Sequence, residues 1–155
     1  MKSILLTLLM VLAFPGCAAP LKDLTAEEEK ALEAQGAGAL AAGDYGKLVE
    51  LAMPRARAGD PEFQFTVGFM MLEWLEDPKP KEPPTHSARD ALVWIYKAVE
   101  AGVPQAASTL RDGYEWGRFS LPKNEELEAC WRKVEGEEQK PDACLAAEAK
   151  LRQQQ

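Results

Sequence analysis

The sequence predicts an all-α protein: a short α-solenoid of about seven helices, arranged as antiparallel hairpins with capping helices. Four observations predict it. Apolar residues recur every three to four positions in several segments, which is the period of a helix with one buried face. These segments are separated by glycines, prolines and polar capping residues. A turn motif also recurs after 43 residues, and no segment shows the alternation typical of a strand.

The N-terminal 17 residues have the layout of a bacterial export signal. Lys2 is followed by an apolar run over residues 4–14, shorter than the roughly 20 residues that cross a bilayer. The run ends at Gly16 and Cys17, which resemble the lipobox of bacterial lipoproteins. That resemblance implies that Cys17 carries lipid and becomes the first residue of the mature chain. Cleavage after Ala19, without lipid, is the alternative.

Export also predicts a location and a charge. Residue 18 is Ala rather than Asp, and in a Gram-negative host lipoprotein sorting then implies the periplasmic side of the outer membrane. A soluble periplasmic protein is the alternative. Residues 18–24 are predicted to be a tether and residues 25–155 the helical domain. Without the signal the chain has 17 basic and 25 acidic residues. This acidity argues against nucleic acid and fits a basic protein partner.

The helix boundaries follow from caps, prolines and glycines. Thr25 and Glu28 form a capping box at the start of the first helix, and Ser87 with Asp90 repeats that arrangement later. The proline-rich stretch 77–86 predicts a loop between the third and fourth helices. The predicted helices cover about 25–42, 45–58, 61–75, 88–101, 104–116, 124–134 and 141–153.

The repeated turn is the most informative pattern. Ala58-Gly59-Asp60-Pro61-Glu62 and Ala101-Gly102-Val103-Pro104-Gln105 each end one helix and begin another. Apolar positions keep the same spacing around both turns, so that Val49 corresponds to Leu92. A helix hairpin of this size cannot cover its own apolar face, and stacking such hairpins buries it.

At these residues the chain resembles the Sel-one-like repeat, a relative of the tetratricopeptide repeat. The clearest correspondence is 91–102, with the sequence A-L-V-W-I-Y-K-A-V-E-A-G. The resemblance covers about 44–134 and implies stacked hairpins whose concave face binds another protein. A final helix at about 141–153 would cap the stack. Two departures stand out: the loop 77–86 is longer than the usual turn, and Arg111 replaces a glycine of the repeat. Packing at Arg111 is therefore expected to be looser, or its side chain to extend into solvent.

Two cysteines remain after export, Cys130 and Cys144, and an oxidising compartment favours a disulfide between them. Two buried free thiols are the alternative. A zinc site would need four ligands, and these cysteines with His86, the single histidine, do not supply them. No phosphate-binding loop or nucleophile–base pattern accompanies them. We therefore expect no catalytic residues, no metal and no cofactor.

Aromatic residues at helix ends are the predicted partner-binding residues. Trp74, Tyr114, Trp116 and Phe119 lie at helix ends or in loops, where partial exposure is expected, and such side chains dominate protein interfaces. The sequence thus predicts a non-catalytic protein-binding scaffold or adaptor, anchored to the membrane by lipid. The alternative is an immunity protein that neutralises a secreted antibacterial toxin, for example a phospholipase effector. Small exported proteins with Sel-one-like repeats are known in that role.

Overall fold

The computed structural model describes residues 25–153, and these form seven α-helices without a strand. The signal, the tether and Cys17 lie outside the described residues. The prediction of an all-α fold with about seven helices is confirmed. The helices are α1 (Ala26–Ala41), α2 (Tyr45–Arg57), α3 (Pro61–Glu76), α4 (Ala88–Glu100), α5 (Pro104–Trp116), α6 (Glu125–Glu135) and α7 (Asp142–Gln153).

Local capping chemistry explains where the helices begin. The side chain of Thr25 accepts a hydrogen bond from the Glu28 amide, and the Glu28 carboxylate accepts one from the Thr25 amide. Ser87 and Asp90 form the same reciprocal pair at α4. Each pair satisfies two backbone groups that the first helical turn leaves without a partner. Polar side chains also cap α2, α3 and α6, namely Asp44, Asp60 and Asn124.

The repeated turns owe their similarity to one backbone requirement. Gly59 and Gly102 have φ of +97° and +88°, a region that residues with a side chain rarely adopt. A proline follows each glycine two residues later and occupies the first position of the next helix. There its missing N–H costs nothing, because the amide would have had no helical partner.

Helices pack mainly against their neighbours in the chain. Helix α3 packs broadly against both α2 and α4, and α5 against α6, whereas α4 and α5 touch over a smaller area. A single apolar core runs from α2 to α7. Helix α1 approaches only α2 among the helices of residues 25–153. The stacking of hairpins into a solenoid stays a prediction.

Gly68 and Arg111 occupy corresponding positions of the two repeats, but one allows close helix packing and the other does not. A Cβ on Gly68 would lie 2.8 Å from Ile95 Cδ1 and 3.0 Å from the Ala91 carbonyl oxygen, so glycine permits the close approach of α3 and α4. At the corresponding position the Arg111 guanidinium pairs with Glu135 at 2.5 Å and Asp112 at 2.6 Å. The Arg111 side chain is 25% exposed, and its charged end is held by these two carboxylates rather than extended freely into solvent.

Substituting the two helical glycines that differ in packing should have opposite effects on stability. We expect Gly68→Ala to lower the free energy of unfolding by about 1–3 kcal/mol, because the new methyl group overpacks the α3–α4 contact. Gly36→Ala should raise it by up to about 1 kcal/mol, since no atom lies within 4 Å of the added Cβ and alanine favours the helix. Urea denaturation measures both. A stabilised Gly68→Ala protein would contradict the close contact.

Candidate binding site

The predicted exposure is wrong for three of the four predicted partner-binding residues. Trp74, Tyr114 and Phe119 are 8%, 3% and 5% exposed and belong to the core, so the expectation that they are partly exposed is wrong. Trp116 is 61% exposed and stands at the last turn of α5, as expected. Only Trp116 of this set is therefore accessible to a partner.

Trp74 is buried because the proline-rich loop folds back over it. Its indole N–H donates a 2.6 Å hydrogen bond to the carbonyl of Glu82, and its ring centroid lies 5.3 Å from that of His86. The ring also fills the space beside Gly46, where a Cβ would approach it to 3.0 Å. At the other side of the loop, Lys81 pairs with Asp44 at 2.5 Å. The hydrogen bond from Lys81 holds the pKa of Asp44 below its usual value. The loop is thus attached to α2 and α3.

Tyr114 and Phe119 are buried by the turn that follows α5. Gly117 ends the helix with φ +69°, and the Asn124 amide returns to donate a hydrogen bond to the Tyr114 carbonyl at 3.0 Å. The Phe119 amide donates to a Glu76 carboxylate oxygen at 3.2 Å, which draws the ring under α3. The Arg118 guanidinium covers the ring at 4.5 Å from its centroid. A position after a helix end is therefore no guide to exposure here.

Helix α7 is attached through a sulfur bridge. The structure places the sulfur atoms of Cys130 and Cys144 at bonding distance, 2.02 Å, which agrees with the predicted disulfide. Their Cα atoms are 5.7 Å apart, within the range that disulfides span without backbone movement. The amide of Gln139 lies 3.1 Å from both sulfur atoms and from the Cys130 carbonyl, so the turn before α7 packs against the bridge.

A buried carboxylate, which sequence reasoning missed, makes the second attachment of α7. Glu148 is 1% exposed and accepts hydrogen bonds from the Tyr96 hydroxyl at 2.5 Å and the Trp131 indole at 2.8 Å. These contacts join α7 to α4 and α6. The spacing of Glu148 four residues after Cys144 was the available signal, because it puts both side chains on one face of α7.

The pair also changes the acidity of Tyr96. Burial of the phenol, followed by the charge of Glu148 and contact with Tyr114, raises the pKa of Tyr96 far above its ordinary value of 10.0. Burial disfavours any charge on the phenol, and the neighbouring carboxylate disfavours a second negative charge beside it. Tyr96 is therefore neutral in the folded protein at any physiological pH.

An apolar cleft lies at the opposite end of the chain, between α1, α2 and α3. We call it the α1 cleft. Its volume is about 210 Å³. Its lining is mostly hydrocarbon, with the charged groups Glu29, Glu33 and Arg55 also bordering it. The apolar lining residues are Leu32, Gly36, Leu48, Leu51, Ala52 and Phe63.

The α1 cleft exists because α1 covers its neighbours incompletely. Ala39, near the C-terminal end of α1, is the helix's one buried residue. Leu32 is half-buried, and a side chain at Gly36 would meet nothing within 4 Å. The N-terminal half of α1 therefore stands away from α2 and α3, and leaves part of their apolar surface uncovered.

Comparison with known proteins identifies no relative of this chain. No family model, no curated protein and no solved structure matches this chain. The resemblance to the Sel-one-like repeat therefore stays a prediction. None of the helices in residues 25–153 combines the length and apolar composition that crossing a membrane requires. Over the same range, no group of three or more potential ligands is arranged to hold a metal ion.

Loss of the disulfide should destabilise the fold measurably. We expect the double variant Cys130→Ser, Cys144→Ser to lose about 3 kcal/mol of unfolding free energy, because the bridge restricts a loop of about 15 residues in the unfolded chain. Urea denaturation of the two proteins measures the loss. Mass measurement of the parent should show a gain of two hydrogens on reduction. Two titratable thiols in freshly isolated protein would contradict the bridge.

The Tyr96–Glu148 pair should make stability fall in alkaline solution. The unfolded chain releases the Tyr96 proton near pH 10, whereas the folded protein retains it because the pKa of Tyr96 is raised. The contribution of the pair is therefore complete below pH 10 and is lost above it, at about 1.4 kcal/mol per pH unit.

Denaturation between pH 8 and pH 11.5 tests this, with Tyr96→Phe compared with the parent. The variant should lose about 1 kcal/mol at pH 8, as a hydrogen bond is removed, and should show a shallower alkaline decline. Tyr45→Phe, the same change in α2, is the control and should keep the parent's slope. Parallel slopes for Tyr96→Phe and the parent would show that the raised pKa is wrong.

Proposed function

We propose that this protein is a non-catalytic protein-binding module, a scaffold or adaptor held by lipid on Cys17 at the periplasmic side of the outer membrane. The signal-like N terminus with its lipobox resemblance supports export and anchoring. The Cys130–Cys144 bridge supports an oxidising compartment. The resemblance to the Sel-one-like repeat supports binding of another polypeptide, since such hairpin stacks use their surfaces in that way.

The α1 cleft is the observation that carries the proposal. Hydrocarbon left open between three helices is costly in water, at about 25 cal/mol for each Å² that a partner would cover. A volume of about 210 Å³ is smaller than the pockets that enclose small-molecule ligands, which hold roughly 300–1,000 Å³. It suits one or two inserted side chains. Single apolar anchors in pockets of this kind contribute most of the affinity in protein interfaces.

A second candidate is the immunity role, in which the chain neutralises a secreted antibacterial toxin in the periplasm. The observation that favours it is the net charge of −7, which would attract a basic toxin surface and accelerate association. Both candidates use protein binding. They differ in whether the partner is an envelope component or a toxin.

Filling the α1 cleft tests the proposal. Gly36→Phe introduces a ring at a position that lines the cleft, and no atom lies within 4 Å of the added Cβ. Gly38→Phe is the matched control, because Gly38 also has nothing within 4 Å and does not line the cleft. We expect the parent and Gly38→Phe to retain the same partner from the periplasmic fraction of the producing cells, and Gly36→Phe to lose it.

Circular dichroism and urea denaturation confirm that both variants fold. A partner that Gly36→Phe retains as well as the parent does would remove the cleft from the binding surface. Failure of the parent to retain any protein would reject the proposed function.

A further inference from the structure

We propose that the α1 cleft takes a basic segment of the partner, which inserts an apolar side chain between α1 and α2 and sets lysine or arginine against Glu29 and Glu33. This inference rests on the proposed function and specifies the chemistry of the partner at the same site. Two independent features of the cleft carry it: the shape of its apolar lining and the sign of its accessible charge.

The α2 and α3 walls of the apolar lining are held in place before any partner arrives. The Arg55 guanidinium lies over the ring of Phe63, 4.5 Å from its centroid, and fixes one wall. Leu48 and Leu51 come from α2, and Leu32 closes the side formed by α1. Preformed walls reduce the ordering cost of binding, so a single Leu or Phe of a partner gains most of its burial energy.

The charge that borders the lining is negative. Glu29 and Glu33 are exposed and four residues apart, so they lie on one face of α1. Neither has an ion-pair partner among the described side chains. Arg55, the one cation that lines the cleft, is already paired with Asp60 at 3.1 Å and covers Phe63. The carboxylates therefore remain available to a ligand, and the arginine does not.

This charge selects among the possible occupants. A fatty acid or an anionic lipid headgroup would be repelled by Glu29 and Glu33. A second copy of this chain carries a net charge of −7 and is disfavoured in the same way. A basic polypeptide satisfies both features at once, because its long side chains can follow the apolar edge and place their charged ends at the carboxylates.

The experiment is a selection of random peptides displayed on phage against the mature chain, with Gly36→Phe used for counter-selection. We expect the retained peptides to combine a Leu or Phe with neighbouring Lys or Arg. The best of them, made synthetically, is then titrated against the double variant Glu29→Gln, Glu33→Gln. Binding should weaken about fivefold, as expected for two exposed charge pairs. The parent's affinity should also fall with added salt more steeply than the variant's.

Glu100→Gln, Glu126→Gln removes the same charge far from the cleft and should bind as the parent does. Cleft-dependent peptides without basic residues, or with unchanged affinity for the Glu29, Glu33 variant, would overturn the inference and leave the proposed function standing. Peptides that bind only after residues 18–24 are deleted would show that this segment of the chain itself occupies the cleft. That result would overturn the inference. Sedimentation showing a dimer that Gly36→Phe abolishes would do the same. Absence of any cleft-dependent peptide would overturn the inference, whereas the proposed function fails only if the parent also retains no protein from the periplasmic fraction.

Discussion

The complete burial of one face of α4 is the constraint on which the rest of the arrangement depends. Ala91, Ile95 and Ala98 have no exposed surface and lie on one face of the helix. Gly68 lets α3 approach Ile95 from one side. Tyr96, on the adjoining face of α4, is reached by Glu148 of α7. The helices before and after α4 are thus held in place by their contacts with the buried side chains of α4.

The two ends of the molecule are closed by different means. At the C-terminal end, α7 has little buried apolar surface, and its attachment depends on the Cys130–Cys144 bridge and on the hydrogen bonds of Glu148. A carboxylate this deeply buried is costly unless donors surround it, so the attachment tolerates little displacement. At the N-terminal end, α1 has neither device among the described residues, and Ala39 is its one buried side chain.

Local chemistry explains why the helix boundaries could be predicted from the sequence. Caps such as Thr25 and Ser87, and left-handed glycines such as Gly59, act within one turn of the chain. Every predicted helix is present, with ends that differ by only one or two residues. The cysteine pairing was predicted from an oxidising compartment and from the count of two remaining cysteines, and neither depends on the fold.

Exposure could not be predicted in the same way, because distant segments decide it. Trp74 is buried by a loop eight residues further on, and Phe119 by a carboxylate of α3. Glu148 looked like one of many solvated acids until α4 and α6 supplied its donors. The α1 cleft left a weaker trace still. The cleft exists because side chains of α1 do not cover α2 and α3 there. The one signal in the sequence was Gly36, a weak helix former within an otherwise strong helical segment.

That glycine bears on the function of the N-terminal end. A helix of this composition loses up to about 1 kcal/mol for each internal glycine, and neither Gly36 nor Gly38 is required by a neighbouring atom. A larger apolar residue at position 36 would stabilise α1 and fill the cleft at the same time. Stability alone therefore does not account for glycine there. The proposed binding site would account for it, because proteins commonly give up stability where a surface must stay open to a partner. The same argument does not extend to Gly38, which lies away from the cleft and whose presence nothing in the structure explains.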